Sequence, residues 1–235
     1  MTPAQLATYV RFKTKTDANT FPDADILVLA NIEKDDIAKE ITKANEDYFV
    51  IENDRNLEVG KRNYKFPSDM LNNMKTLSAT FDGTTWKRLN EYDFNTLKIN
   101  TDEDSITEYF NSRTAGFAIL GGEIIVLNDS AIIAVADGLK LYATVYPADI
   151  SAMTGTDDMS LDPSATEFGF PKQFHKILAH RISRAYKQRP DSKMKLDDDE
   201  KNVEIQLNYS LDSIKGQNLD RSIIPSVPYD DGSDY

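Results

Sequence analysis

Apolar and polar positions change their period twice along the chain. Residues Ile26, Ala30, Ile37, Ala38, Ile41, Ala44 and Tyr48 recur mostly at helical spacing, with Glu33, Asp36, Lys39 and Lys43 elsewhere on the surface. Pro22-Asp-Ala-Asp25 starts this helix, and its end falls near Val50 to Asn53. A shorter helix precedes it, opened by Thr2 as N-cap and Pro3 in the first turn, and running through Val10 and Phe12. Thr14 to Thr20 is a polar linker between the two.

From about Leu57 to Ile150 the period becomes that of strands. Tyr64 and Phe66 alternate with Asn63 and Lys65, which predicts a half-buried strand. Pro67 removes a backbone donor and ends regular pairing, and Ser68-Asp69 turns the chain. Leu77, Ala79 and Phe81 alternate with Ser78 and Thr80 before Asp82-Gly83, a hairpin signal leading to Trp86. Phe117–Leu120 and Ile124–Leu127 flank Gly121-Gly122, a second hairpin with glycines where positive φ is needed. Leu139, Leu141, Ala143 and Val145 alternate with Lys140, Tyr142, Thr144 and Tyr146. Asp102 to Phe110 predicts one helical turn or two.

Residues 151–170 are rich in Ser, Thr, Asp, Gly and Pro and read as a long loop. Helical period returns after Pro171, with Phe174, Ile177, Leu178, Ile182, Ala185 and Tyr186 on one face, and stops before Pro190. Asp197-Asp-Asp-Glu200 suits the positive end of a last helix, whose stripe is Val203, Leu207, Leu211 and Ile214. Gly216 is its stop. Residues 217–235 carry no periodicity and form a tail.

This order predicts an α+β fold. Residues 1–56 and 171–216 form one antiparallel helical bundle, because neither helical pair alone offers much core. Residues 57–150 form an inserted antiparallel β-sandwich or barrel with Tyr64, Phe66, Pro67 and Trp86 as its core markers. Residues 217–235 are an extended arm.

Composition narrows the function more than the fold. Among 235 residues there is no cysteine, which removes disulfides, thiolate metal sites and cysteine nucleophiles. No apolar run approaches the roughly 18–20 residues that span a bilayer, and the amino terminus has no secretory pattern. Against 39 acidic side chains stand 27 basic ones, a net charge of −12, which argues against wrapping nucleic acid by bulk electrostatics. An acidic wall still lets DNA slide past.

Candidate chemistry is sparse. His175 and His180 lie five apart on a helix, roughly 140° around it, so they do not share a metal ion, and a surface or interface role is the better reading. No nucleophile elbow, phosphate-binding loop or dinucleotide fingerprint is present. Chance acidic pairs are certain in so acidic a chain and carry no information about glycoside hydrolysis. The stretch 172–195 is locally basic, and Lys172, Lys176, Arg184 and Lys187 make it a candidate bundle interface as well as a solvated face balanced by Asp197 to Glu200. Arg181 lies close enough to the apolar stripe for an ion pair with the first helical pair. In the tail, Ile223, Ile224, Pro225, Val227, Pro228 and Tyr229 form an apolar, proline-punctuated run. It either covers its own domain or docks on another subunit.

Taken in order, these pieces resemble the tail adaptor, or head-completion connector, proteins of tailed bacteriophages. The likeness runs through the two amino-terminal helices, the Tyr64-x-Phe66-Pro67-x-Asp69 strand and turn, and Asp82-Gly83 before Trp86-Lys-Arg-Leu89. It continues through the Gly121-Gly122 hairpin, the Leu141-Tyr-Ala-Thr-Val-Tyr-Pro147 strand, Phe170-Pro-Lys-Gln-Phe-His175 opening a helix, a final helix and a tail. Residues 100–110 and 151–170 fall outside the pattern.

The resemblance implies a non-enzymatic virion protein without cofactor or metal, made in the host cytoplasm and placed at the head-tail junction. It implies a ring, usually of twelve copies, below the portal protein, with genomic DNA passing through the lumen unread and tail or nozzle proteins attached beneath. The arm residues 223–229 would contact the portal. Another tail or baseplate ring subunit is the nearest alternative. A tail-associated envelope-degrading hydrolase belongs to a different class, and a carboxylate pair in a cleft would favour it.

Overall fold

The computed structural model describes residues 1–97, 99–165, 167–190 and 192–215. Gly216 and the tail, with Ile223, Ile224, Pro225, Val227, Pro228 and Tyr229, lie outside the described residues. Among those described, the chain is mixed α and β, with seven α-helices and two four-stranded sheets. The described residues divide into two compact units, one from Met1–Phe49 and residues 144–215, the other from Val50–Ala143.

The helical unit begins with α1 (Pro3–Thr14). Thr2 caps it: its hydroxyl accepts from the Gln5 amide at 3.2 Å while the Gln5 side chain accepts from the Thr2 amide at 3.0 Å. This capping box satisfies two otherwise orphaned donors. Helix α2 (Asp23–Ala44) buries Ile26, Ala30, Ile37, Ala38 and Ile41. It stops short of the Val50–Asn53 end expected from its pattern. Asn45 is extended and its side chain accepts from the Asp47 amide, so a local turn outcompetes another helical turn. Tyr48 therefore lies beyond the helix.

After a short 3-10 turn at Lys172–Phe174, α5 (His175–Lys187) forms the centre of this unit. It packs against α1 and α2, and against α6 (Asp198–Lys201) and α7 (Val203–Lys215); α7 also packs on α2. Residues 151–170 belong to the helical unit rather than standing apart, anchored by Phe170 N donating to Met159 O and Ala148 N to Phe168 O.

In the β unit, one sheet has the order β1 (Val50–Leu57), β8 (Val135–Val145), β3 (Met70–Ala79), β4 (Lys87–Arg88). The other has the order β2 (Asn63–Lys65), β7 (Glu123–Leu127), β6 (Gly116–Leu120), β5 (Asn90–Glu91). Strand β1 covers 50–57, so the β unit starts earlier than the boundary at 57 drawn from the sequence. Both sheets contribute to one apolar core, through Leu57, Leu77, Leu139 and Leu141 from the first and Tyr64, Phe117, Ile124 and Val126 from the second.

The opposite face of β6 and β7 is also buried. Ala118, Ile125 and Leu127, alternating with the core residues, meet Leu97 of α3 (Phe94–Leu97) and Ile106 and Phe110 of α4 (Glu103–Phe110). Burial on both faces explains why Ile124–Leu127 reads as an unbroken apolar run. The β6–β7 hairpin turns through Gly121 and Gly122, both at positive φ.

Strands β5 and β6 pair in parallel, against the wholly antiparallel arrangement expected. A parallel pair needs a long crossover, and residues 92–115 with α3 and α4 supply it. Gly116 sits where a side chain has no room: a Cβ there would lie 2.4 Å from Asn90 O and 2.3 Å from the Tyr92 ring.

Candidate interaction surface

Of the four charged side chains proposed from the sequence as a contact face, two are paired with carboxylates of the same subunit. On α5, Lys187 is buried, with its ammonium 2.7 Å and 2.8 Å from the two carboxylate oxygens of Glu200. It is not an interface residue. Arg184 donates to Glu204 at 3.3 Å, and Arg181 donates to Glu204 at 2.6 Å and lies 3.7 Å from Glu33 of α2. These four groups, with Ala185 and Gln188, line a recess of about 240 Å³. Burial pushes the Glu33 carboxyl up despite the pull of Arg181. Only Lys172 and Lys176 of the four proposed contact residues remain exposed.

Both histidines are buried, which corrects their placement at a surface or interface. His175 Nε2 donates to Phe170 O at 2.8 Å. His180 meets the edge of Tyr9 on α1, with ring centroids 5.8 Å apart. Burial lowers the pKa of both; neighbouring Lys13 adds to the effect at His180. Lys13 in turn donates to Asp197 at 3.0 Å and Asp199 at 2.9 Å, fastening α1 to the start of α6. Among the described residues no group of three or more His, Asp or Glu could hold a metal ion.

The β-core markers divide. Tyr64 is buried in the shared core, and its hydroxyl donates to Lys61 O at 3.0 Å. Phe66 packs against the core half-buried, and Pro67 is half-buried at the turn. Trp86 is not a core residue. It is half-buried beside the first sheet, with the Lys140 ammonium 5.1 Å from its ring centre, and Leu89 takes the core position.

Beside Trp86 lies a cluster that periodicity did not single out: Glu52, Asp54, Lys140 and Tyr142. Residues 52 and 54 share one face of β1, and 140 and 142 one face of β8, so sheet pairing brings them together. Glu52 accepts from both Lys140 Nζ and the Tyr142 hydroxyl. Burial alone would raise its pKa, but those two donors outweigh it and hold the carboxylate ionised. Burial and the adjacent Glu52 raise Asp54, against the pull of Lys140. The Lys140 ammonium also lies 3.7 Å from Asp54, so the cluster ties β1 to β8.

A second polar centre, also unmarked by any motif, is Arg62. It donates to Glu103 twice at 3.0 Å, to Asn128 Oδ1 at 2.6 Å, to Ser130 O at 3.0 Å and to Val126 O at 3.2 Å. Its fork fixes α4 against the loop after β7.

What the helical unit leaves unpartnered is apolar. Phe12 of α1 is 76% exposed, at the end of a shallow groove of about 580 Å³ lined by Ala4, Gln5, Thr8, Tyr9 and Met1. Ile205 and Tyr209 of α7 are 53% and 73% exposed, and Val28 and Ile32 of α2 are similarly open. Each pair lies four residues apart and so shares a helix face. Solitary exposed apolar residues are ordinary, but paired ones on several helices of one unit mark contact surfaces.

No protein-family model matches this chain, and no curated protein matches it. Among the described residues no helix is long and apolar enough to cross a membrane.

Proposed function

We propose that this chain is a structural ring subunit of a tailed-bacteriophage particle, a head-to-tail adaptor. In this reading its terminal segments make an antiparallel helical bundle, its inserted segment makes a β-sandwich, and twelve copies close a ring beneath the portal protein. The ring extends the DNA channel and carries tail or nozzle proteins. Residues 217–235 reach the portal through Ile223, Ile224, Pro225, Val227, Pro228 and Tyr229. Weak contacts repeated around the ring supply retention by avidity.

The observation that carries this reading is the pairing of inward-turned charge with outward-turned apolar side chains in the helical unit. Lys187, Arg181, Arg184 and Lys13 are spent on internal carboxylates, while Phe12, Val28, Ile32, Ile205 and Tyr209 face outward. A subunit whose work is assembly needs that arrangement; an isolated subunit gains nothing from it. The discontinuous helical unit interrupted by a β unit also follows the order of pieces on which the resemblance rests.

Deleting residues 217–235 tests the reading: the truncated chain is expected to fold, with an unchanged far-ultraviolet spectrum, yet fail to join filled heads. Wild-type occupancy of the truncated chain on purified particles would overturn the arm assignment. A purified full-length chain that is monomeric with and without portal protein would overturn the ring.

A further inference from the structure

Helix α1 runs alongside α5 in the same direction. The Met1 nitrogen lies 3.0 Å from His175 Nδ1, and Tyr9 meets His180. Lys13 reaches Asp197 and Asp199, beside the Lys187–Glu200 pair that ends α5. Helix α7 runs the opposite way. Its second residue, Glu204, bonds Arg181 and Arg184, and farther along it packs against the 3-10 turn at Lys172–Phe174 that opens α5. Lys215, the last described residue, therefore leaves the helical unit at the end where the α1 groove begins. That groove starts at Met1, passes Ala4, Thr8 and Tyr9, and ends at Phe12.

The chain beyond Lys215 has the length to use it. Helices α1 and α7 both pack on α5, so their axes lie no more than about 20 Å apart. The seven residues 216–222 span up to about 23 Å, enough to cross that distance. From residue 223 to residue 229 the rise of an extended, proline-bearing segment covers about 19 Å, against about 17 Å along the helix from Met1 to Phe12. Charge agrees at the far end. Arg11 and Lys13 are satisfied inside the subunit by Asp23, Asp197 and Asp199. Lys15, just past Phe12, is exposed and makes no ion pair among the described residues, and Asp230 and Asp231 directly follow Tyr229.

We propose that in the free chain residues 223–229 occupy the α1 groove of their own subunit, with Tyr229 beside Phe12 and Asp230 near Lys15. The tether makes this binding intramolecular, at an effective concentration that a separate partner seldom matches. The inference goes beyond the adaptor reading and does not depend on it. Where that reading holds, the portal draws the arm out of the groove, and Phe12 is uncovered only on the filled head.

The absence of cysteine makes the test direct. Phe12→Cys/Tyr229→Cys chains, oxidised in dilute solution, are expected to close an intramolecular disulfide, read as a monomer two hydrogens lighter. Tyr209→Cys/Tyr229→Cys chains test the α7 face and are expected to close at least about tenfold more slowly. A freely moving arm would favour the second pair, which is nearer in sequence. Independently, Phe12→Ser is expected to speed chymotryptic release of residues 230–235 at least about tenfold, because cleavage tracks the undocked fraction. Position 12 is exposed, so that variant is expected to keep the parent far-ultraviolet spectrum.

Faster closure to position 209 than to position 12 would overturn the proposal, as would unchanged chymotryptic release from Phe12→Ser. Disulfide-linked dimers from mixed Phe12→Cys and Tyr229→Cys chains, in place of the closed monomer, would give the groove to another copy's arm and overturn it too. Each of these outcomes leaves the adaptor reading standing. The portal assignment fails separately, if the chain lacking residues 217–235 occupies filled heads normally.

Discussion

Lys187 and Glu200 form an ion pair inside the helical unit, with the carboxylate side chain fully buried and the ammonium side chain 7% exposed. Glu200 does a second job, accepting from the Asp197 amide at 2.9 Å while Asp197 accepts from the Glu200 amide at 2.9 Å. One carboxylate thus starts α6 and neutralises the last turn of α5. Removing one partner strands the other charge without water, which typically costs about 3–5 kcal/mol. Glu200→Gln and Lys187→Met are each expected to lose stability of that order in urea unfolding. The double variant Lys187→Met/Glu200→Gln is expected to recover most of the loss, because no uncompensated charge remains. Additive losses in the double variant would show that the pair is uncoupled.

Arg62 organises the β unit in a way that lysine cannot copy. Its guanidinium spans Glu103, Asn128 and two backbone carbonyls at once, a geometry that depends on a planar fork of donors. Arg62→Lys keeps the charge and loses most of those bonds. It is expected to destabilise the β unit by about 2–4 kcal/mol, close to the loss for Arg62→Met. Trp86 is the single tryptophan and lies in this unit, so its fluorescence follows β-unit unfolding directly. A Lys variant as stable as the parent would show that charge alone suffices.

The two buried histidines give the helical unit a pH dependence whose sign is fixed. Their folded pKa values lie below the ordinary value of 6.5, so in the window beneath 6.5 the unfolded chain binds more protons than the folded one. Stability therefore rises with pH through that window and falls as pH drops from about 7 to 5. Around His180 stand Tyr9 and Lys13 on α1 and Asp197, Asp199 and Glu200 at α6; burial is the dominant cause of its shift, and Lys13 adds to it. His180→Phe, which keeps an aromatic ring against Tyr9, is expected to flatten the dependence of the melting temperature between pH 7.5 and 5.5, leaving the share due to His175. Asp197, held low against burial by the Glu200 amide and Lys13, and Asp199, held low by Lys13, add a loss of the same sign at more acid pH that this substitution leaves in place.

How much of this was legible in the sequence depended on whether a feature was local. Thr2-Pro3, the Asp82-Gly83 turn and Gly121-Gly122 carry their physics within a few residues: a cap, and backbone conformations that glycine reaches without strain. Tyr64 alternates cleanly and is in the core. The end of α2 was misplaced because Ala44 and Tyr48 continue its apolar period, while the Asn45 turn that breaks it is a competition between hydrogen bonds. Lys187 and the histidines were placed on the surface because charge and polarity suggest exposure. What covers them is set by the fold: Glu200 of α6 at Lys187, Tyr9 of α1 at His180 and Phe170 at His175. Arg62 and the Glu52–Lys140–Tyr142 cluster exist only once strands pair, so no spacing announces them. The apolar faces of α1 and α7 were hidden differently. A hydrophobic position has the same letter whether it faces a core or a partner, and Phe12 read simply as part of a helix.

The parallel pairing of β5 with β6 was equally invisible, since Asn90-Glu91 is too short to show any period, and it rests on one glycine. At Gly116 an added methyl would meet both Asn90 O and the Tyr92 ring at distances no real Cβ tolerates. The first is backbone of the paired strand and cannot swing aside as a flexible side chain could. Overpacking of this kind costs about 1–3 kcal/mol or more when backbone must move. Gly116→Ala is therefore expected to lose at least about 2 kcal/mol by Trp86-detected urea unfolding. The damage should concentrate in the short parallel pair, with backbone amides of 90–92 and 116–117 losing hydrogen-exchange protection while those of the β6–β7 hairpin keep theirs. Gly121→Ala makes the comparison sharp. No atom lies near its Cβ, so only the strain of its positive φ is added, about 1 kcal/mol, and the parallel pair should stay protected. Equal loss of protection in both variants would mean that the crowding at Gly116 is not what holds β5 in register.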